Sequence, residues 1–523
     1  MQGFMDFMEG KEVTRLPKPF HPRPYQLEAD ERTATVLQGT DKTSLYLATG
    51  TGKTEIAALL LKRDWGHARS LFVTPRRELV RQSAERLTLR GVNCGVEMAD
   101  QRSEEPITVA CYASLQSRKR YQRYLQTVGL IIVDESHLNY SKANLDMLAQ
   151  FRSWGAKVVG MTASPPKKKD IVLRDHYGDP AYVYDYQQAA GDAYLVTCKS
   201  HVCLLEDLDL SGFKATFGGA DPDFNQSRVS RLMEQKAVVA GVANMVETYW
   251  EGKESVVFCS SIAQAELVRD DLWGRGIQAS IVHSQMDEDE RRLHLADFMS
   301  GKSKVIINVG ILTVGYDAPH VRKLFIARPT ASGCLYTQMF GRGTRCLPGV
   351  IDGLWTVGER MDAIARSAKP FFEVFDITDA SRHNDLKTAL DVLRPSLDDR
   401  LMKRLRKRAL RGPIAPQELD PIIEAEKKAL AAEQAAIDAM EMRKRAGVYV
   451  GGQVAAYERD TFADAEGRNY RRIRDYWWMP YGRFKGRGFK QIHGEAPWYL
   501  RSILPHVTDE GLARNIRKFL SAH

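Results

Sequence analysis

Short apolar runs alternate with helix-length amphipathic stretches twice along this chain. The first series lies at residues 44–47, 70–73, 107–110, 130–133 and 157–161, and the second at 255–259, 279–282, 304–308, 324–327 and 371–375. Runs this short, bounded by polar or glycine-containing turns, read as buried strands. Strands alternating with helical segments such as 55–62 predict a parallel sheet covered by helices. The expected class is α/β, with one such layered body over residues 21–195 and a second over 231–385. No sequence repeat links the two. Residues 1–20 are expected as a lead-in, and 196–230 as a connector whose pattern resolves into no element. From 386 to 450 the pattern changes. Lys403, Arg404, Arg406, Lys407, Arg408 and Arg411 form a basic run, and residues 424–445, rich in Ala, Glu and Lys, predict an exposed helix. Residues 451–523 are expected to form a small separate module.

A chain of 523 residues with 44% hydrophobic and 27% charged residues has ample core for several globular domains. The net charge of +9 favours a polyanionic partner. No run of eighteen apolar residues exists, so no membrane span is expected. The N-terminal ten residues carry acids and lack a basic lead before an apolar core, so no signal peptide is expected. The seven cysteines are scattered, only Cys198 and Cys203 lie close together, and no second pair completes a zinc site. Reduced thiols in a cytoplasmic compartment are the expectation.

Three stretches carry chemistry. Thr49-Gly50-Thr51-Gly52-Lys53-Thr54 follows a strand and opens a helix. Glycines there let backbone N–H groups turn inward on phosphate oxygens at the positive end of the helix. Lys53 would reach the β- and γ-phosphates of ATP, and the Thr54 hydroxyl would ligate Mg²⁺. The strict phosphate-loop pattern has Gly where this chain has Leu47, and taken alone the stretch also fits a plain strand-to-helix turn. The apolar run 130–133 ends in Asp134 and Glu135, where open α/β sheets place their ligands. Asp134 suits Mg²⁺, and Glu135 suits activation of a water. Near the end of the second body stands Gln338-Met339-Phe340-Gly341-Arg342-Gly343-Thr344-Arg345. Two arginines three residues apart share one face and can reach a γ-phosphate across a cleft, as arginine fingers do.

Together these stretches resemble a superfamily 2 helicase of the DExH type, over roughly residues 20–380. The resemblance implies two tandem RecA-like domains with ATP and Mg²⁺ between them. It assigns base recognition to Tyr25 and Gln26, and coupling to His137, Thr162 and Ser164. Nucleotide contacts fall on Gly315 and Asp317. Gln338, Arg342 and Arg345 join Lys53, Asp134 and Glu135 in catalysis. Contacts to the nucleic-acid backbone fall on Pro75, Arg76, Ser260 and Thr313. Residues 312–317, followed by 326–330, resemble DNA-repair translocases of the RadD, XPB and UvsW kind, and residues 182–195 resemble the connector of RadD-type proteins. Residues 48–54 match the phosphate loop usual in restriction-enzyme motor subunits. Ser136-His137 departs from the Ala-Asp of DEAD-box RNA helicases.

The tail from 468 to 490 interleaves arginines and lysines with aromatic residues, among them Arg483, Lys485 and Arg487 beside Tyr481, Phe484 and Phe489. Cations suit phosphates and aromatic faces suit unpaired bases. Trp477 and Trp478 are the candidates for this module's core. The phrase at 479–486 resembles the C-terminal module of some exonuclease X-type enzymes. Glu426-Lys427-Lys428 fits a minimal nuclease pattern but lacks a preceding acid-bearing strand. The expected partner is single-stranded, forked or branched DNA, with single-strand-binding or recombination proteins beside it, in a bacterial or phage-infected cell. RNA as the track, a motor subunit of a restriction or defence assembly, and a decayed motor that only binds are the alternatives.

Overall fold

In this computed structural model, the described residues are 21–98, 101–138, 141–163, 171–216, 222–310, 318–378, 386–395 and 397–445, with short strands between 461 and 488 and two positions, 517 and 520. The chain forms two compact units, Met1–Leu430 and Ala431–His523.

The first unit holds two parallel sheets. The first lobe contains β1 (Lys42–Leu47), β2 (Arg69–Thr74), β3 (Gly95–Glu97), β4 (Ile107–Cys111), β5 (Val128–Val133), β6 (Lys157–Thr162) and β7 (Pro180–Tyr184), in the order β3-β4-β2-β5-β6-β1-β7. β5 (Val-Gly-Leu-Ile-Ile-Val) is buried at every position, which is why its sequence reads as an unbroken apolar run. The second lobe contains β8 (Thr197–Leu204), β9 (Ser255–Cys259), β10 (Ala279–His283), β11 (Val305–Val309), β12 (Lys323–Ala327) and β13 (Phe371–Thr378), in the order β10-β11-β9-β12-β13-β8. Its centre is a stack in which the Phe325 and Phe375 rings lie 4.8 Å apart and nearly parallel.

Three strands lie outside the apolar runs. β3 is three residues long. β7 begins at a proline on the sheet edge, where a missing N–H costs no ladder bond. β8 falls inside the stretch expected as connector. It pairs with β13 over its whole length while alternating buried Cys198, Ser200 and Val202 with more exposed neighbours. Its outer side is covered, because Ser200 and Ile414 exchange backbone hydrogen bonds of 3.2 and 3.0 Å. Cys198 and Cys203, five residues apart on one strand, form no disulfide, and all seven cysteines are free.

The segment after β13 is helical: Ala389–Leu393, Asp399–Ala409 and Pro416–Arg445. The second of these buries Leu401, Met402, Leu405 and Ala409, which places its basic residues outward. Two of them are neutralised internally. Arg404 pairs with Glu426 at 2.5 Å and Arg406 with Asp391 at 2.8 Å. Glu426, the first residue of the nuclease-like phrase, is thus held in a helix by an arginine. The second unit contains an antiparallel sheet in the order β14-β15-β16-β17 (Thr461–Ala463, Asn469–Ile473, Tyr476–Met479, Arg487–Gly488). In it Arg472 lies opposite Trp477, and Met479 opposite Arg487. Among the described residues no helix is long and apolar enough to cross a membrane, and no cluster of three or more His, Cys, Asp or Glu side chains is spaced to hold a metal ion.

Phe325 is fully buried. Phe325→Ala is expected to cost about 3–5 kcal/mol of stability, read by chemical denaturation.

Candidate functional site

The phosphate loop lies between β1 and the helix Lys53–Leu61. Gly50 and Gly52 have φ of 92° and 82°, a conformation glycine adopts without steric cost. Lys53 Nζ stands 3.6 Å from Glu135 Oε1. Asp134 follows β5 directly, with its N–H donating to Val73 O at 2.9 Å. Its Oδ1 accepts the Glu135 N–H at 3.0 Å. Glu135 sits at φ 45°, a left-handed conformation that costs a non-glycine residue of order 1 kcal/mol or more. His137 Nδ1 lies 2.8 Å from Thr162 Oγ1 and 3.4 Å from Glu135 Oε2, so the expected coupling residues His137 and Thr162 do meet.

Electrostatics divides the two acids. Burial, followed by the charge of Glu135, pushes the Asp134 carboxyl up to about 6. Burial opposes ionisation of Glu135 as well, but Lys53, His137 and Arg342 outweigh it and hold that carboxyl below its ordinary range. Arg342 belongs to the second lobe, so the field at Glu135 is made by both lobes.

The helix Gly333–Phe340, capped by Ser332, starts past the C-terminal end of β12 and runs back to the opposite edge of the second sheet. Gln338 is buried in it, one turn ahead of the buried Arg342. The loop beyond is stitched to the first lobe. A methyl group on Gly341 would lie 2.4 Å from Thr49 Cβ, so this position admits only glycine at that approach. Thr344 Oγ1 donates to Thr49 O at 3.3 Å, and Val196 N donates to Thr344 O at 2.8 Å. The Arg345 side chain packs over Gly50.

The helix Pro24–Gly39 starts with proline in its first turn, and Gln26 Oε1 accepts the Arg23 N–H at 2.9 Å. Tyr25 and Gln26 both bond the phosphate loop. The Tyr25 hydroxyl and Gln26 Nε2 donate to Thr51 O at 2.7 and 3.2 Å. Tyr25 stacks on Tyr184 at 4.3 Å and meets Tyr194 edge-on at 4.9 Å. A cavity of about 610 Å³ opens beside this aromatic column, lined by Glu28, Arg32, Tyr182, Tyr184, Gln188 and Asp192.

Pro75 and the exposed Arg76 follow β2, and Ser260 follows β9, each at the C-terminal end of its strand. For the second lobe this is the edge away from Arg342. Ser164, Thr313, Gly315, Asp317, Arg483 and Lys485 lie outside the described residues. Of Arg487 only the backbone is described, and the side chains of Trp477 and Trp478 likewise lie outside.

Three features escaped the sequence reading. Asp376, fully buried in β13, accepts the Tyr336 hydroxyl at 2.5 Å and the Ala389 N–H at 2.7 Å. It thereby ties the helix that precedes the arginine loop to the helical segment, and burial pushes its carboxyl up to about 7. Its signal was an acid directly after the apolar run 371–375. Arg360 of the second lobe donates to Asp192 O at 3.0 Å and lies 4.1 Å over the Tyr194 ring. Lys369, fully buried, donates to the carbonyls of Pro319 and Arg345, each at 2.8 Å. Neither of these two residues carries a pattern in sequence.

Comparison with known proteins bears on this geometry. Residues 19–167 match the domain family described as type III restriction enzyme, res subunit, and residues 240–346 match the helicase conserved C-terminal domain. The two matches cover the two lobes that carry the phosphate loop and the paired arginines. Over these two lobes the chain is similar to restriction-enzyme subunits and to helicases. It is 27% identical over 360 residues to a type I restriction enzyme EcoAI endonuclease subunit of Escherichia coli, covering 62% of this chain and 44% of that one. It is 28% identical over 346 residues to a putative ATP-dependent helicase IRC3 of Saccharomyces cerevisiae, covering 62% of this chain and 49% of that one. The chain thus spans about half the length of these curated relatives. In fold it is similar to a fragment of a putative HsdR subunit of a type I restriction enzyme from Vibrio vulnificus YJ016, with a TM-score of 0.51 and 22% identity over 71% of this chain and 68% of that one.

The raised Asp134 pKa has a consequence for stability. A carboxyl at about 6 in the fold and 3.8 in the open chain stabilises the fold below 3.8 and loses that contribution as pH rises through 6. In nucleotide-free protein, Asp134→Asn is therefore expected to raise stability at pH 8, by on the order of 2 kcal/mol, and to leave it unchanged near pH 4. Denaturant titrations at the two pH values check this.

Proposed function

We propose that this chain is a nucleic-acid-stimulated ATPase that converts ATP hydrolysis into movement on DNA. The observation that carries the reading is the shared field at Glu135, set by Lys53 of the first lobe and Arg342 of the second. Such a site is complete only when the lobes meet, so a step of hydrolysis and a step of lobe movement are one event.

The triphosphate would lie along the loop 49–54 with Lys53 on its β- and γ-oxygens. The base would approach the Tyr25, Tyr184 and Tyr194 column, with Gln26 joining base recognition to the loop. Mg²⁺ suits the site: two adjacent buried carboxylates stand beside the phosphate loop, and one of them stays driven toward its protonated form although Lys53 and Arg86 bear on it. Asp134 and Thr54 would hold the ion, which supplies charge neutralisation at the phosphates. Glu135, kept ionised and in a fixed strained conformation, would orient the attacking water and take its proton. Arg342 and Arg345 would stabilise the charge that develops on the transferred phosphoryl group. Gly315 and Asp317 are proposed nucleotide contacts, and Ser164 and Gln338 proposed coupling residues.

DNA is favoured as the track by the likeness to restriction-enzyme subunits and by the basic, aromatic module at the C-terminus. Pro75, Arg76, Ser260 and Thr313 would follow the phosphate backbone, and Arg483, Lys485 and Arg487 would grip a single strand or an end. Repair and recombination in the cytoplasm of a bacterial or phage-infected cell are the proposed setting. The match of residues 19–167 to the res subunit favours a second reading, a motor that works beside a nuclease on another chain.

The test is ATP hydrolysis with single-stranded, duplex, forked and branched DNA and with single-stranded RNA. Strongest stimulation by forked or branched DNA is expected, and RNA as effective as DNA would overturn the choice of track. Lys53→Ala is expected to abolish turnover. Arg342→Ala is expected to lower it by about 10³-fold or more while ATP binding persists; undiminished turnover would remove the arginine-finger role.

A further inference from the structure

The helix Asp399–Ala409 carries more positive charge than its own stability explains. Its buried side, Leu401, Met402, Leu405 and Ala409, packs against β8, the edge strand of the second sheet. At 3.6 residues per turn, Arg400, Lys403 and Lys407 fall on the opposite side, one above another. Arg411 continues them in the turn that follows, where the Leu410 and Arg411 N–H groups still bond Arg406 O and Arg408 O. All four cations are exposed. A rise of 1.5 Å per residue makes them a straight row about 16 Å long.

The acids around the helix are taken elsewhere. Glu426 pairs with Arg404, Asp391 with Arg406 and Asp420 with Arg394. The Asp398 carboxylate accepts the Leu401 N–H at 2.9 Å and caps the helix. Among the described residues no acid pairs with Arg400, Lys403, Lys407 or Arg411. Such a row is unfavourable in isolation. Cations three and four residues apart repel each other, and Arg400 stands in the first turn, at the positive end of the helix, where a cation is disfavoured. The pairs to Glu426 and Asp391 meanwhile fasten the helix to its neighbours, so the row is presented in a fixed geometry.

We propose that this row is a second nucleic-acid contact, which holds the phosphate backbone of duplex DNA. The helix contains no aromatic residue, so it offers charge without faces for unpaired bases to stack on. A duplex turns its bases inward and presents on each strand about one phosphate per 3.4 Å of axis, or about five along the length of the row. The row is also separate from the contacts proposed for the track. It lies at β8, three strands away from β9, which Ser260 follows. The inference rests on the DNA reading given above for the class of polymer, and not on ATP turnover.

The experiment uses the full chain carrying Lys403→Gln, Lys407→Gln and Arg411→Gln together, and a second chain carrying Lys403→Arg, Lys407→Arg and Arg411→Lys, which keeps the charge. Affinity without nucleotide is read over a range of salt concentrations for relaxed circular duplex DNA, which offers no ends, and for single-stranded DNA. ATP hydrolysis without nucleic acid is read beside it. For the neutral variant, duplex affinity is expected to fall about tenfold or more at low salt, with a salt slope shallower by about 2–3, while single-strand affinity and basal hydrolysis stay within about twofold of the parent. The charge-keeping variant is expected to match the parent. Unchanged duplex affinity and slope in the neutral variant overturn the proposal. So does an equal loss in the charge-keeping variant, since the effect would then be one of packing. An equal loss of single-strand affinity overturns the assignment to duplex. Binding to vesicles of anionic lipid as tight as to duplex, and lost in the neutral variant, would give the row to a membrane surface instead. A parent protein that binds duplex through this row yet hydrolyses no ATP leaves the inference standing and removes the ATPase reading.

Discussion

Two carboxylates on consecutive residues at the end of a buried strand cannot both ionise unless positive charge stands close by. Much of this molecule follows from that constraint. Asp134 and Glu135 follow the fully buried β5, and the first lobe answers with Lys53 and His137 strongly enough to hold Glu135 ionised, while Lys53 and Arg86 leave Asp134 raised. The imbalance makes two unlike acids from adjacent residues, one driven toward its protonated form and the other held ionised. The left-handed backbone of Glu135 goes with a carboxylate 3.6 Å from Lys53, at a cost in local energy that the buried strand sustains.

The remaining positive charge comes from another lobe, which imposes a demand on packing. Arginines have to cross a domain boundary without prising the lobes apart. Gly341 meets that demand by leaving no side chain against Thr49, while a backbone bond from Val196 and a side-chain bond from the Thr344 hydroxyl fasten the arginine loop to the link between the lobes and to the phosphate loop. Behind the loop, Asp376 and Lys369 hold it from within the second lobe through buried polar contacts. Such fully bonded buried groups fix one arrangement where an apolar core would tolerate several.

Both parallel sheets were legible in sequence because their central strands are apolar at nearly every position. The strands that were not legible are the ones in which burial is partial. β7 opens on a proline at an edge, and β8 mixes Lys199, Ser200 and His201 into a strand buried on alternate residues. The phosphate loop, the paired acids and the paired arginines were readable because each is a local string whose chemistry depends on spacing. The basic run at 403–411 looked like one charged surface, but Arg404 and Arg406 are consumed by acids distant in sequence. Lys369 and Arg360 were invisible for a related reason: what they do is set by backbone carbonyls, which every residue carries, so no residue pattern marks them.

The short link between the lobes sets a mechanical ratio. After the helix Tyr186–Gly191 the chain reaches β8 at Thr197 within a few residues, and Leu195 bridges Arg345 there. The arginines thus lie at the fulcrum of the second lobe. β10, at the other edge of its sheet from β8, lies five strand spacings away, roughly 24 Å. A rotation of roughly 10° about the link would carry that far edge about 4 Å, while the arginine loop, a few ångströms from the pivot, would move by well under 1 Å. Such a rotation would make the fold a lever with the arginine loop on its short arm, enlarging a sub-ångström change there into a displacement of several ångströms at the far edge.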